Sequence, residues 1–267
     1  LQGIFDDIDQ PVIKWADSRE ELEKAFSLVH EEYVRSGYIT KPNQHHIFFN
    51  IHNLLPNSCT LIIKCGHEVI ATLSMVTDDQ EFGLPMDSLY KEEVDVLRKQ
   101  RRKICELCSL AASPEFSSEK LLMPLFRTMY WHSVTQHIDD FCITVNPKHV
   151  PFYKLVFLFE DLGPQRFYHR VNAPAVALRL DLRRCGENLE KAYRGAEPEC
   201  SVYSYVFESP SIESRQRDHL LVAETRQIPD AEIVDYFLAR DAGIRTTLRP
   251  GQHEYLLASY ANAVYPK

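Results

Sequence analysis

The segment Ile104 to Phe116, ICELCSLAASPEF, places one carboxylate, Glu106, among apolar and small residues. It reads as a strand that runs into a loop and then into a helix. A carboxylate in such a strand is either paired structurally or engaged in chemistry. The same segment carries Cys105 and Cys108 in a C-x-x-C spacing. In a regular strand, residues three apart point to opposite faces, so these thiols would not meet. No second C-x-x-C or matching histidine pair exists, and the seven cysteines form no framework. They read as structural thiols. His45–His46 and His132/His137 lack partners at ligand spacing, so no metal site is expected.

The rest of the chain alternates strands with helices. Pro11 to Ala16 forms a first strand. Asp17 or Ser18 caps a helix whose apolar face is Leu22, Ala25, Phe26, Val29 and Tyr33, ending near Ser36–Gly37. An aromatic, irregular segment follows, in which Phe48 and Phe49 either line a binding loop or cover a core edge. Cys59–Lys64 and Glu68–Val76 form a hairpin through Cys65-Gly66-His67. A short helix from Asp87 or Ser88 leads to the basic run Arg98–Lys103, which usually marks a solvated turn. After the opening strand, Ser117 or Ser118 caps a helix from about Glu119 to His137, interrupted at Pro124. Phe141 to Val145 is a strand, and a helix from about Val150 to Phe159 carries Tyr153. Gly163-Pro164 breaks the chain before the strands Arg166–Val171 and Val176–Leu182. Residues 186–201 read as a polar connector and the remainder as mainly helical, with Pro229 at one helix start. The expected division is 1–185 for the main domain and 186–267 for a helical extension.

A net charge of −8 disfavours a general nucleic-acid-binding role. No apolar run approaches the roughly 20 residues that span a bilayer. The opening LQGIFDDIDQPV lacks the regions of a signal peptide, so the expected location is the cytoplasm.

The order of strand, helix, hairpin, strand, helix, strand, helix and two strands resembles the GNAT N-acyltransferase fold. That is an α/β fold, a mixed central sheet splayed between its fourth and fifth strands and flanked by helices, here with the helical C-terminal extension. GLPMDSLYKEEVDVLRK, ICELCSLAASPEF and ITVNPKHVPFYKLVFLFEDLG resemble the bacterial long-chain N-acyl amino acid synthases, GNAT-like relatives of acyl-homoserine-lactone synthases. The resemblance covers Val12 to Leu182. It implies transfer of a fatty acyl group from an acyl carrier protein thioester to an amino acid's α-amine. The donor is the acyl-phosphopantetheine arm of the carrier protein, or acyl-CoA, with no tightly bound cofactor. Two alternatives stand beside it: an acyl-homoserine-lactone-type synthase, and a non-catalytic acyl- or carrier-binding module.

In one place the chain departs from the acetyltransferase pattern. The usual pyrophosphate loop, Q/R-x-x-G-x-G/A, corresponds here to SPEFSSEKLL, which has no glycine. Glycines let backbone N–H groups approach phosphates closely. Their absence favours a carrier-protein arm, whose single phosphate Ser117, Ser118 and Lys120 would receive.

Aminolysis of a thioester needs the amine deprotonated, the oxyanion stabilised and the leaving thiolate protonated. Glu106 is the candidate base, directly or through water, or else a buried acid paired with Arg101, Arg102 or another inward-facing arginine. Regular alternation would put Glu106, Cys108, Leu110 and Ala112 on one face, unless a bulge intervenes. The N–H groups of Leu110 and Ala111 are candidates for polarising the carbonyl. Small residues from Ala111 to Ser113 would admit a pantetheine arm. Tyr153 stands where many GNATs protonate the thiolate. Asn146 either holds the pantetheine amide or caps the next helix. Lys120, Arg127 and Lys148 would dock the acidic carrier protein, and Arg35 with the Gly37-Tyr38 turn would hold the amino acid's carboxylate. The C-terminal helices, with Phe237, Leu238, Leu256 and Leu257, would roof an acyl tunnel or form a dimer interface.

Overall fold

A two-residue turn, Gly66-His67, joins β2 (Cys59–Cys65) to β3 (Glu68–Thr77), with Gly66 at φ +58°. Glycine adopts that conformation without steric cost, which is why this hairpin is readable from the sequence. The computed structural model describes residues 11–116, 118–208 and 231–264. Within them, β1 (Pro11–Trp15) pairs antiparallel with β2, and β3 pairs antiparallel with β4 (Ile104–Ala112). β4 pairs parallel with β5 (Asp140–Val145), which pairs antiparallel with β7 (Ala173–Asp181). β6 (Glu160–Tyr168) closes the edge, giving a seven-stranded sheet in the order β1-β2-β3-β4-β5-β7-β6.

Helices cover both faces. α1 (Arg19–Arg35) and α2 (Asp87–Lys99) bury residues such as Phe26 and Tyr90 on one side. α3 (Ser118–Thr135), α4 (Val150–Val156) and α5 (Leu182–Ala192) pack on the other, around Leu125, Phe141, Leu178 and Leu189. The Ser18 hydroxyl caps α1 by accepting the Glu21 N–H at 3.3 Å. Among the described residues, no helix is long and apolar enough to cross a membrane.

The sheet opens in the middle. β4 and β5 are in register only from Ile104–Asp140 to Leu107–Ile143, although β4 continues to Ala112 and β5 to Val145. Below the opening the strands are clamped. Asp140, fully buried, accepts from Arg102 Nη2 at 2.9 Å and from Arg179 Nε at 2.7 Å. Beyond Leu107, β4 has no strand partner on its β5 side.

Regular alternation along β4 fails at Ser109. Its φ is +54°, and the β3–β4 register jumps from Ser74–Cys108 to Thr72–Ala111. Two residues of β4, Ser109 and Leu110, therefore oppose Leu73, and the strand changes phase. Glu106, Cys108 and Ala111 face the α1/α2 side. Leu107, Leu110 and Ala112 pack toward α3, so the expectation of a shared face for Glu106, Leu110 and Ala112 is corrected.

Two further expectations change. Gly163-Pro164 does not break the chain; it lies inside β6, which begins at Glu160 and ends at Tyr168. As an edge strand with register shifts around Gly163, β6 tolerates a proline. A Cβ at Gly163 would lie 2.6 Å from the Tyr90 ring, whose hydroxyl donates to the Ala175 carbonyl at 2.8 Å. Residues 186–192 are not a connector but the continuation of α5. The spacing of Leu182, Cys185 and Leu189 makes one narrow buried stripe, enough to dock a helix that is otherwise polar.

The C-terminal helices, α6 (Ala231–Arg240), α7 (Ala242–Thr247) and α8 (Gln252–Val264), pack against α1 and the loop after it. Phe237 sits 5.1 Å from Phe26 and 5.4 Å from Phe49. Each fully buried phenyl group contributes roughly 1.5–3 kcal/mol. The Tyr260 hydroxyl donates to the Leu54 carbonyl, and Arg249 pairs with Glu81 at 2.7 Å. Pro229 lies outside the described residues.

Candidate functional site

A cavity of about 530 Å³ occupies the opening between β4 and β5. Its lining includes Tyr33, Arg35 and Phe48 from the α1 side and Leu122, Phe126 and Tyr153 from the α3/α4 side. Because these belong to opposite faces of the sheet, the cavity passes through the sheet plane. The chamber on the α3/α4 side is walled largely by Leu73, Leu107, Leu122, Phe126, Ile143 and Phe159. The other is polar and aromatic. Glu106, Cys108 and Ser109 lie at the junction.

Glu106 is 3% exposed and, among the described residues, has no cation within ion-pair reach. Its Oε2 accepts the Met86 N–H at 2.7 Å, at the start of α2. Burial raises its carboxyl to about 8; the Met86 bond opposes the shift, and the nearby Asp87 charge adds to it. Thr144 lies close enough to favour the charged form slightly, yet its hydroxyl completes no hydrogen bond of normal geometry. Neither Arg101, which is exposed, nor Arg102 pairs with Glu106 as expected, and the inward-facing Arg98 and Arg102 are committed elsewhere. Arg98 binds Asp78 and Asp87 at 2.6 and 2.7 Å, and Arg102 binds Asp140 and, at 2.9 Å, Asp181. A carboxyl group with this environment can hold or take a proton near neutral pH.

Cys108 faces the same junction, and burial pushes its thiol up to about 12, with the Glu106 charge adding to this. A thiol so raised is a poor nucleophile. Cys105 lies on the other face, in the α3-side core, and both sulfurs are free. Tyr153 lines the cavity amid Phe152, Phe157 and Phe159, and burial raises its phenol to about 12. Its hydroxyl makes no hydrogen bond among the described residues.

Leu110, Ala111, Ala112, Asn146, Tyr38 and Lys148 also line the cavity. Asn146 Oδ1 accepts the Lys148 N–H at 3.1 Å, so it caps the turn after β5. Arg35 lines it too, but its guanidinium is paired with Glu32 and lies 3.4 Å from the Ala112 carbonyl. Lys120 and Arg127 do not line it. Arg127 stacks over the Tyr205 ring at 5.4 Å, on the α3 face covered by residues 201–208. Ser117 and the side chain of Ser118 lie outside the described residues. No described residue beyond Val171 lines the cavity, so the described parts of the C-terminal helices are not its roof. They instead brace the loop that supplies Phe48 and Asn50.

Sequence reasoning passed over Asn50, Tyr168 and Arg170. All three line the polar chamber. Asn50 sits in a reciprocal cap with Asn53, a local N-x-x-N signal that was available. Tyr168 and Arg170 reach the site only because β6 turns back at His169–Val171, closed by Asn172 at φ +46°.

A family model described as N-acyl amino acid synthase FeeM matches residues 24–181. The chain is similar to the solved structure of FeeM, an N-acyl amino acid synthase from uncultured soil microbes. Identity is 27% and the TM-score 0.61, over 67% of this chain and 95% of that one. Its fold is also that of BjaI, a CoA-dependent acyl-homoserine lactone synthase, at 16% identity and a TM-score of 0.54 over 84% of this chain and 96% of that one. For the acyl-homoserine lactone synthase LasI the values are 12% and 0.51, over 65% and 91%. No curated protein sequence matches the chain. With a matched stretch that spans more than half of its length, the chain belongs to the FeeM family of N-acyl amino acid synthases, acyltransferases on a GNAT-like fold.

Proposed function

We propose that this synthase takes a long-chain acyl group from the phosphopantetheine thioester of an acyl carrier protein and passes it to the α-amine of an amino acid. The observation that carries this reading is the position of Glu106. It is buried, with no ion-pair partner among the described residues, in the lining of a cavity that has apolar side chains on the α3/α4 side and polar and aromatic ones on the α1 side. The apolar chamber takes the acyl chain and the polar chamber the amino acid. The thioester carbonyl then lies in the gap between β4 and β5, where the arm adds along the unpartnered edge of β4.

Glu106 accepts a proton from the incoming ammonium group, directly or through water. The neutral nitrogen attacks the thioester carbon, forming the C–N bond. The N–H groups at the Ser109 bulge, of Leu110 and Ala111, receive the oxyanion. As the C–S bond breaks, sulfur leaves as a thiolate and takes a proton from Tyr153, which recovers one from the nitrogen. Overall, thioester and ammonium give amide, thiol and one proton. Burial raises the Tyr153 phenol, but burial in this cavity raises a thiol as well, as at Cys108. The proton transfer therefore stays close to balanced. Lys120 and Lys148, both exposed, carry positive charge to the acidic carrier protein.

The donor is tested by supplying one long-chain acyl group at equal concentration on carrier protein and on CoA. The loop Ser113–Leu122, without glycine, supports a preference for the carrier of at least about tenfold in kcat/KM, the scale of one charged contact. Equal or better use of acyl-CoA would overturn the carrier-protein assignment.

A further inference from the structure

An amino acid whose ammonium group meets Glu106 also brings a carboxylate, which needs a cation or N–H donors in a chamber partly closed to water. Arg35, Lys148 and Arg170 are the arginine and lysine side chains that line the cavity. Arg35 is compensated by Glu32, whose other oxygen holds the Ser36 hydroxyl at 2.8 Å. Lys148 follows β5, and among the described residues no hydrogen bond or ion pair fixes its ammonium group.

Arg170 is exposed like Lys148, but its guanidinium is held by fixed contacts. Its Nη2 donates to the Phe49 carbonyl at 2.6 Å, and its guanidinium carbon lies 5.2 Å from the centre of the Phe48 ring. No carboxylate pairs with it among the described residues. The turn that carries it follows directly on Tyr168, which feels both the Arg170 and Glu106 charges, and Tyr33 on α1 feels Arg170 and Cys108. Arg170 and the β4 junction thus share one chamber. With one corner tied to a backbone carbonyl and one face against an aromatic ring, the guanidinium is held in place. Its remaining N–H groups make no further hydrogen bond among the described residues, leaving a preorganised fork for a carboxylate.

We infer that Arg170, held by the Phe49 carbonyl and the Phe48 ring, binds the α-carboxylate of the amino acid while Glu106 receives its ammonium group. This assignment rests on the acyltransferase reading of the cavity, and it displaces Arg35 from that role. It makes a free carboxylate a requirement for the acceptor, so the amide nitrogen forms on amino acids in preference to amines lacking an acid group.

The test uses the full chain, an acyl carrier protein donor, and the amino acid that wild type acylates best from a panel of twenty. That acceptor is compared with its C-terminal primary amide. Wild type is expected to prefer the acid by about 30-fold in kcat/KM, the worth of a charge-assisted contact. Arg170→Gln should bring the two acceptors to within about threefold, by raising KM for the acid and leaving KM for the donor unchanged. Arg170→Lys should retain part of the preference. A variant that slows both acceptors equally would make Arg170 a packing residue only and overturn the inference. So would a preference that survives Arg170→Gln, one that vanishes in Arg35→Gln instead, or a wild type indifferent to the carboxylate. A wild type that acylates no amine at all would sink the acyltransferase reading, and this assignment with it.

Discussion

Glu106→Gln is expected to make the protein more stable at alkaline pH while removing most of its activity. The folded-state carboxyl, at about 8, lies above its ordinary value of 4.5 because burial disfavours the charged form. The stability contributed by this group is therefore fully present below about pH 4.5, where both folded and unfolded chains hold the proton. It is lost as pH rises toward 8, because the unfolded chain releases its proton first. The loss approaches roughly 3–5 kcal/mol above pH 8. Glutamine keeps the shape and can still accept the Met86 N–H but carries no charge. Urea unfolding should give nearly equal stabilities for variant and wild type at pH 4.5 and a clear advantage for the variant at pH 8.5. The acylation rate should fall by about 10³-fold, the middle of the range for loss of a general base. An acid kept for structure would give the reverse pattern, with stability falling and rate unmoved. The two readouts together decide the question posed by a lone carboxylate in an apolar strand.

Asp140→Ala should cost about 3–5 kcal/mol of unfolding free energy, the range found when one partner of a buried ionic cluster is removed. Asp140 is fully buried and holds both Arg102 and Arg179. Truncating it leaves two guanidinium groups facing each other with only Asp181 between them, 2.9 Å from Arg102 and 3.3 Å from Arg179. The clamp also has a place in the architecture. Asp140 opposes Ile104 on β4 and Asp181 on β7, at the closed end of the ladder that parts beyond Leu107. Joining the strands there lets them diverge at the other end without the sheet coming apart. Asp140→Asn, which keeps the volume, should lose most of the same stability. A loss below about 1 kcal/mol for both variants would show the cluster to be replaceable, as an exposed pair would be.

These two residues also mark what a sequence can and cannot disclose. Glu106 was legible because a carboxylate flanked by Ile104, Cys105 and Leu107 is chemically out of place in a strand. The hairpin at Gly66 and the cap at Ser18 were legible because each is a local rule in a few consecutive residues. The partners of Arg98 and Arg102 were not, because Asp78, Asp140 and Asp181 are distant in the chain and meet them only through the fold. The bulge at Ser109 carries no glycine to announce it. Its positive φ is imposed by tertiary structure, and it moves Leu110 and Ala112 to the α3 side. Gly163-Pro164 was read as a break because a proline excludes a central strand but not an edge one. Arg170 had no local mark, and only the return of β6 toward β4 gives it a chamber to face.

The acyl transfer is tested most directly by its product. Purified protein would be incubated with long-chain acyl carrier protein and the twenty amino acids, and the extract weighed by mass spectrometry. A new ion is expected at the mass of fatty acid plus amino acid less one water, nearly absent with Glu106→Gln. No such amide from wild type, or an equal yield from the variant, would contradict the proposed function.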